Sequence, residues 1–292
     1  MIRSLFAGVA GMKNHQIRMD VIGNNISNVN TVGFKSQRAN FQDMVYQMIK
    51  SPSAPTGGTS GAGSINPSQV GTGVIVAGIG TNMGQGALQG TGRTLDLAIQ
   101  GNGFFQVTDT SGKSVYTRNG IFYIDQNGFM VDSNGNLLVG IGNYDATPPT
   151  WIDPGSIQFV DSKENAAVVG SISIGKDGKI TAYDTAGNQL KIKIGSNTPT
   201  NAYVALFTFP NPEGLKKVGQ NYFDVTDASG SANLLDNTKM SSEINSGYLE
   251  MSNVDLTDEF TNMITTQRGY QASARIITVS DTMLEELINL KR

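Results

Sequence analysis

Near the N-terminus, apolar side chains fall at Ile2, Leu5, Val9, Met12, Met19, Ile22 and Ile26, with Gln16 in the remaining slot. Steps of three and four residues mark the seam of an α-helix that packs on another helix. The spacing predicts a helix over 3–28, a rod of about 40 Å at ~1.5 Å per residue. It should stop at Asn28-Val29-Asn30-Thr31-Val32-Gly33, where Asn and Gly offer turn and left-handed conformations. The other end mirrors this. Leu256, Phe260, Met263, Gln267, Tyr270, Ala274, Ile277, Leu284 and Ile288 step by four and three, with Asp281 in one slot. Asn253 or Asp255 can cap that helix, and Asp258 and Glu259 sit in its first turn. Lys291 and Arg292 close it with the opposite sign, as the helix dipole favours.

Two arrangements fit these seams: ordinary amphipathic helices on a common core, or a joined coiled coil. Placement favours the second, because one seam lies at each end and everything between is glycine-rich or strand-like. Gln16 and Gln267 at seam positions suit a helix pair buried among other subunits, since polar seam residues specify register at a cost in stability.

Residues 51–90 are of low complexity. The run from Ser51 to Ser64 carries little worth burying, so it is either a plain linker or a segment that orders on contact with a partner. Strand character returns at Val74-Ile75-Val76. From 93 to 225 short β-prone runs alternate with turn signals: Leu95–Ile99, Phe104–Val107, Val115–Arg118, Ile121–Ile124, Phe129–Val131, Ile172–Ile174, Ile180–Tyr183, Leu190–Ile194 and Val204–Phe209. Asn119-Gly120, Asn127-Gly128, Asn134-Gly135 and Asp177-Gly178 read as hairpin turns between them. The expected fold is α+β and multidomain. Residues 1–35 plus 250–292 form a terminal helical coiled coil, 36–92 a Gly/Ser-rich intersubunit connector, and 93–249 an all-β outer domain, an irregular sandwich or barrel.

Composition narrows the function. The 292 residues include 35 Gly but only 15% charged side chains, with one His and no Cys. That excludes disulfides, thiolate nucleophiles, Cys-ligated metals and multi-histidine metal sites. A net charge of −3 from 21 basic and 24 acidic residues, without a basic block, argues against nucleic-acid binding. No apolar run approaches the ~18 residues of a membrane span. The N-terminus superficially looks like a secretion signal, but its apolar spacing continues past Lys13, His15 and Arg18, so an uncleaved helix is expected.

Candidate chemistry is sparse. Gly101-Asn102-Gly103 opens like a dinucleotide loop but lacks the third glycine and the helix. Asp132-Ser133-Asn134-Gly135-Asn136 starts like a calcium loop, with its glycine misplaced and no closing Glu. No catalytic residue, cofactor site or metal site is expected.

The stretch Met19 to Lys35, containing Gly23-Asn24-Asn25-Ile26-Ser27-Asn28 and Thr31-Val32-Gly33-Phe34-Lys35, resembles the N-terminal signature of bacterial flagellar rod and hook proteins. Matching segments follow in order: Leu95 to Phe105 with Gly101, Gly103 and Phe104, then Tyr116 to Gly120, then Asn211 to Gly219. The last run from Gly247 to Leu256, with Asn253 and Val254, into Met263 to Gln271, with Gln267 and Arg268. Arg93-Thr94-Leu95-Asp96 and the Met283–Arg292 ending look most like a hook protein of compact type; the distal rod protein is the alternative. A remote alternative is a secreted β-rich carbohydrate-binding or glycan-acting protein. The resemblance implies a structural, non-enzymatic subunit of the bacterial flagellum, at the extracellular hook or basal body. Its implied partners are further copies of itself as a homopolymer, the distal rod protein, hook–filament junction proteins, a hook cap and the type III export apparatus. Neither nucleic acid nor a membrane span is implied. The seam residues Leu5, Val9, Met12, Met19, Ile22, Ile26, Phe260, Met263, Tyr270, Ile277, Leu284 and Ile288 are the expected assembly contacts.

Overall fold

The computed structural model describes residues 2–54, 64–144, 150–161, 168–235 and 242–290. The glycines of 57–63 and the basic pair Lys291-Arg292 lie outside them. The chain divides into two compact units. The first takes Met1–Ser27, Gln37–Asn82 and Asp255–Arg292; the second takes Asn28–Ser36 and Met83–Val254. This division falls elsewhere than the expected segments, because 37–82 groups with the helices and 28–36 with the β-strands.

In the first unit, α1 (Ile2–Ser27) and α2 (Leu256–Leu290) pair with each other. Asp255 caps α2, its Oδ1 accepting from Thr257 N at 2.8 Å. Four strands follow α1 in the same unit: β1 (Gln37–Asp43), β2 (Tyr46–Lys50), β3 (Ser68–Gly71) and β4 (Val74–Thr81). β1 pairs antiparallel with β4 and β2 with β3, so much of the expected connector is a two-stranded ribbon. Asn25, fully buried, ties this unit together. It exchanges hydrogen bonds with the Gln37 backbone at 2.8 and 2.9 Å, as a strand would, and donates to Glu259 Oε1 at 3.0 Å.

The second unit is antiparallel β throughout its described pairings. Its strands are β5 (Leu88–Gly90), β6 (Leu97–Gln100), β7 (Phe104–Thr108), β8 (Ser114–Thr117), β9 (Phe122–Ile124) and β10 (Met130–Asp132). Then come β11 (Leu137–Tyr144), β12 (Thr150–Val160), β13 (Val169–Ile174), β14 (Lys179–Asp184), β15 (Lys191–Ile194) and β16 (Asn201–Val204). The last are β17 (Leu206–Thr208), β18 (Lys216–Gly219), β19 (Tyr222–Asp224), β20 (Asn233–Leu234), β21 (Glu243–Ser246) and β22 (Tyr248–Glu250). A branched sheet runs β13-β14-β16-β11-β7-β8-β19-β18. Neighbouring residues feed opposite faces: Phe105, Leu138, Val204 and Tyr222 join one core cluster, Phe104, Val139, Tyr203 and Phe223 the other. A sheet with apolar packing on both faces reads as continuous apolar runs rather than strict alternation.

Two local expectations change. Asn119-Gly120 is not a hairpin turn, since β8 pairs with β7 and β19 while β9 pairs with β10. Gly120 is there for close approach: a Cβ on it would lie 1.6 Å from the Leu97 carbonyl oxygen. β12 was not anticipated, because Asp153-Pro154-Gly155 reads locally as a turn. The strand runs through these residues with a register shift against β11, and from Ile157 onward it pairs with β15.

Candidate functional site

The helix pair is the first candidate surface. Ser4 and Ser280 hydroxyls lie 3.4 Å apart, Arg18 Nη2 donates to Asn262 Oδ1 at 3.2 Å, and Asn25 reaches Glu259. Between these points a Cβ on Gly8 would meet Ile277 at 3.2 Å, one on Gly11 would meet Ser273 Oγ at 2.9 Å, and one on Gly269 would meet the His15 ring at 2.8 Å. The helices are therefore antiparallel, touching along Ser4, Gly8, Gly11, His15, Arg18 and Asn25. That line steps by three and four like the expected seam but lies on the neighbouring stripe. Small residues let two helix axes come close, and here they take the contact line.

The expected seam residues distribute accordingly. Ile22 is buried, while Leu5, Met12, Met19, Ile26, Met263, Ile277 and Leu284 are half-buried. Val9, Phe260, Tyr270 and Ile288 are exposed, Ile288 at 68%, so within one chain these four are not seam residues. Gln16, Gln267 and Asp281 are exposed too. Phe6, Ile264, Val279, Met283 and Leu287 add further exposed apolar surface. α2 also continues for ten residues after Ser280, whose partner Ser4 lies in the first turn of α1. So many exposed large apolar side chains on two paired helices mark surface for burial against a partner.

The second unit carries a buried ionic cluster around the signature segment. Lys35 and Glu250, each 1% exposed, pair at 2.6 Å, and Arg118 Nη1 reaches the other Glu250 oxygen at 3.1 Å. Lys35 Nζ also donates to Gly84 O at 2.9 Å, Arg118 Nη2 to Gly101 O at 2.8 Å, and Gly86 N to Glu250 Oε1 at 2.9 Å. The Arg118 guanidinium lies 5.3 Å from the Phe104 ring centre. Desolvation lowers the Lys35 pKa, and the adjacent Arg118 adds to that, against the pull of Glu250.

Hydrogen bonds to the backbone of 32–36 knit the flanking segments together. Gly33 N donates to Glu250 O at 2.8 Å, Ser36 N to Asn253 Oδ1 at 2.8 Å, and Asn221 Nδ2 to Val32 O at 2.8 Å. Gly33 has φ +69°, and a Cβ there would meet Arg118 backbone atoms at 2.8 Å, so two constraints select glycine. Asn28 accepts from Thr31 and Gly103 adopts φ +147°, whereas Asn24, Gln267 and Arg268 are exposed and Val254 half-buried. Asp132 accepts from the backbone of Asn134 and Asn136 and from Tyr222 Oη on β19, so its carboxylate ties the 132–136 turn to the sheet.

Lys35, Arg118 and Glu250 fall within the segments that resemble the flagellar proteins, and the resemblance implies no role for them.

Lys217 makes this region sensitive to alkali. Its Nζ lies 4.7 Å from the Phe34 ring centre and donates to Lys35 O at 2.7 Å, while burial pulls its pKa down to about 8. The unfolded chain, near 10.4, then holds more protons than the folded one from about pH 8 to 10, so stability rises with pH across that window. The expected result is a denaturation midpoint that climbs from pH 8 to 10 in the wild type relative to Lys217→Met. Parallel curves for the two proteins would show that Lys217 keeps an ordinary pKa.

Residues 5–35 match the family described as flagella basal body rod protein, 98–182 the flagellar hook protein FlgE/F/G D1 domain, and 245–290 the flagellar basal body rod FlgEFG protein C-terminal region. The chain is 43% identical over 294 residues to flagellar basal-body rod protein FlgG of Bacillus subtilis (strain 168), with all of both chains covered. It is 30% identical over 469 residues to flagellar hook protein FlgE of Treponema pallidum (strain Nichols), again with all of both chains covered. Flagellar basal-body rod protein FlgG of Caulobacter vibrioides is 34% identical over 293 residues, covering 99% of this chain and 100% of that one.

Proposed function

We infer, for a chain that belongs to the flagellar rod and hook axial protein family, a role as the self-assembling subunit of the distal rod in the basal body. It is a structural subunit of the flagellar axis in either reading, and we propose that it has no enzymatic activity. The observation that carries self-assembly is the helix pair: the two helices meet largely through glycine, serine and polar side chains, with Ile277 against Gly8, and leave Phe6, Val9, Phe260, Ile264 and Ile288 exposed. Copies that bury this surface head to tail, through unlike patches, build an open helical polymer.

Length favours rod over hook. Alignment with the Bacillus rod protein spans 294 residues against this chain's 292, whereas alignment with the Treponema hook protein spans 469, so the hook relative carries much additional sequence. The hook is the second reading, favoured by the likeness of Arg93–Asp96 and of the Met283–Arg292 ending to compact hook proteins. Immunogold labelling of isolated hook–basal bodies, with antibody raised to 93–249, separates them. Gold on the straight shaft is expected; gold on the curved segment outside the envelope makes the chain a hook subunit.

A further inference from the structure

The ionic cluster joins residues far apart in the chain: Lys35, just after α1, Arg118 at the end of β8, and Glu250, just before α2. Both cations are buried, and Glu250 is the carboxylate that reaches them, one oxygen to each. Without it Lys35 keeps the Gly84 carbonyl and Arg118 the Gly101 carbonyl, and Arg118 Nε has no acceptor among the described residues. A desolvated cation held only by carbonyl dipoles is costly, and two side by side also repel. The backbone follows the same dependence: Gly33 N donates to Glu250 O, and Ser36 N to Asn253 Oδ1.

We propose that Glu250 is a charge latch that lets segment Asn28–Ser36 dock on the β unit only once Tyr248–Glu250 is in place. A chain whose C-terminal part has not yet arrived keeps the segment after α1 open, because closing it would bury Lys35 beside Arg118 with no counter-charge. Docking of the stretch that leads out of α1 is thereby conditional on the stretch that leads into α2. The latch senses completeness of the chain, and Glu250 acts as a positioning residue.

Hydrogen exchange of the full-length protein, followed by mass spectrometry, tests this. In Glu250→Gln, which keeps the side-chain shape, amides of 28–36 are expected to exchange at least tenfold faster while β7 and β15 keep wild-type protection. Lys35→Met combined with Glu250→Gln removes one stranded cation and is expected to bring 28–36 back to within about threefold of wild type. Three outcomes overturn the latch. They are wild-type protection of 28–36 in Glu250→Gln, equal loss of protection across the whole β unit, and a double variant no better protected than Glu250→Gln.

Discussion

Glutamate at both Phe260 and Ile288 is expected to abolish polymerisation while leaving the monomer intact. Phe260 is 49% and Ile288 68% exposed in the single chain, so neither charge disturbs the α1–α2 contact line or the β cores. In a polymer that buries these positions, each carboxylate loses water and finds no partner, at a cost of several kcal/mol per site. Every subunit repeats that cost, so the effect on assembly is close to all-or-none. Sedimentation and electron microscopy should show monomer at concentrations where the wild type forms filaments. Calorimetry should return the β unit's transition within a few degrees of wild type. Val218→Glu, equally exposed but on β18, serves as the control. Filaments of normal length from the double variant would remove this helix surface from the assembly interface.

Gly120→Ala should cost the second unit about 3–5 kcal/mol, in the range reserved for substitutions that force apart a packed core. The added carbon would lie 1.6 Å from the Leu97 carbonyl oxygen and 2.7 Å from its carbon, backbone atoms that no rotamer change can move. Relief requires lifting β6, which breaks the Leu97 N to Gly120 O bond and exposes Leu97 and Ile99, both buried in the first core cluster. Gly112→Ala provides the scale. That glycine has φ +80° with nothing within 4 Å, so only the left-handed backbone penalty of roughly 1–2 kcal/mol applies. Urea denaturation of the two variants should rank Gly120→Ala well below Gly112→Ala. The reverse order would mean that β6 does not pass against Gly120.

Both helices were legible because a repeat of three and four is a local property, written within any two turns. Most β-turns were legible for the same reason: Gly128, Gly135 and Gly178 adopt φ of +78°, +84° and +78° where Asn-Gly or Asp-Gly announced them. The resemblance to flagellar axial proteins also rested on short runs such as Asn24-Asn25-Ile26-Ser27-Asn28 and needed no knowledge of contacts.

Distant pairings were not legible. Periodicity says that α1 has an apolar stripe, but which stripe meets α2 depends on what α2 presents; Gly8, Gly11 and Gly269 let the backbones approach along the adjacent line, leaving Val9, Phe260 and Ile288 exposed. Gly120 looked like a turn because its role is set by Leu97, on a strand it does not follow directly. Lys35, Arg118 and Glu250 lie in three separate segments, and nothing near any one of them names the other two. Local pattern determined the elements, since φ/ψ preference and side-chain period act over a few residues. The contact stripe and the buried charges were decided by tertiary structure, since desolvation and close packing depend on every group that arrives from elsewhere in the chain.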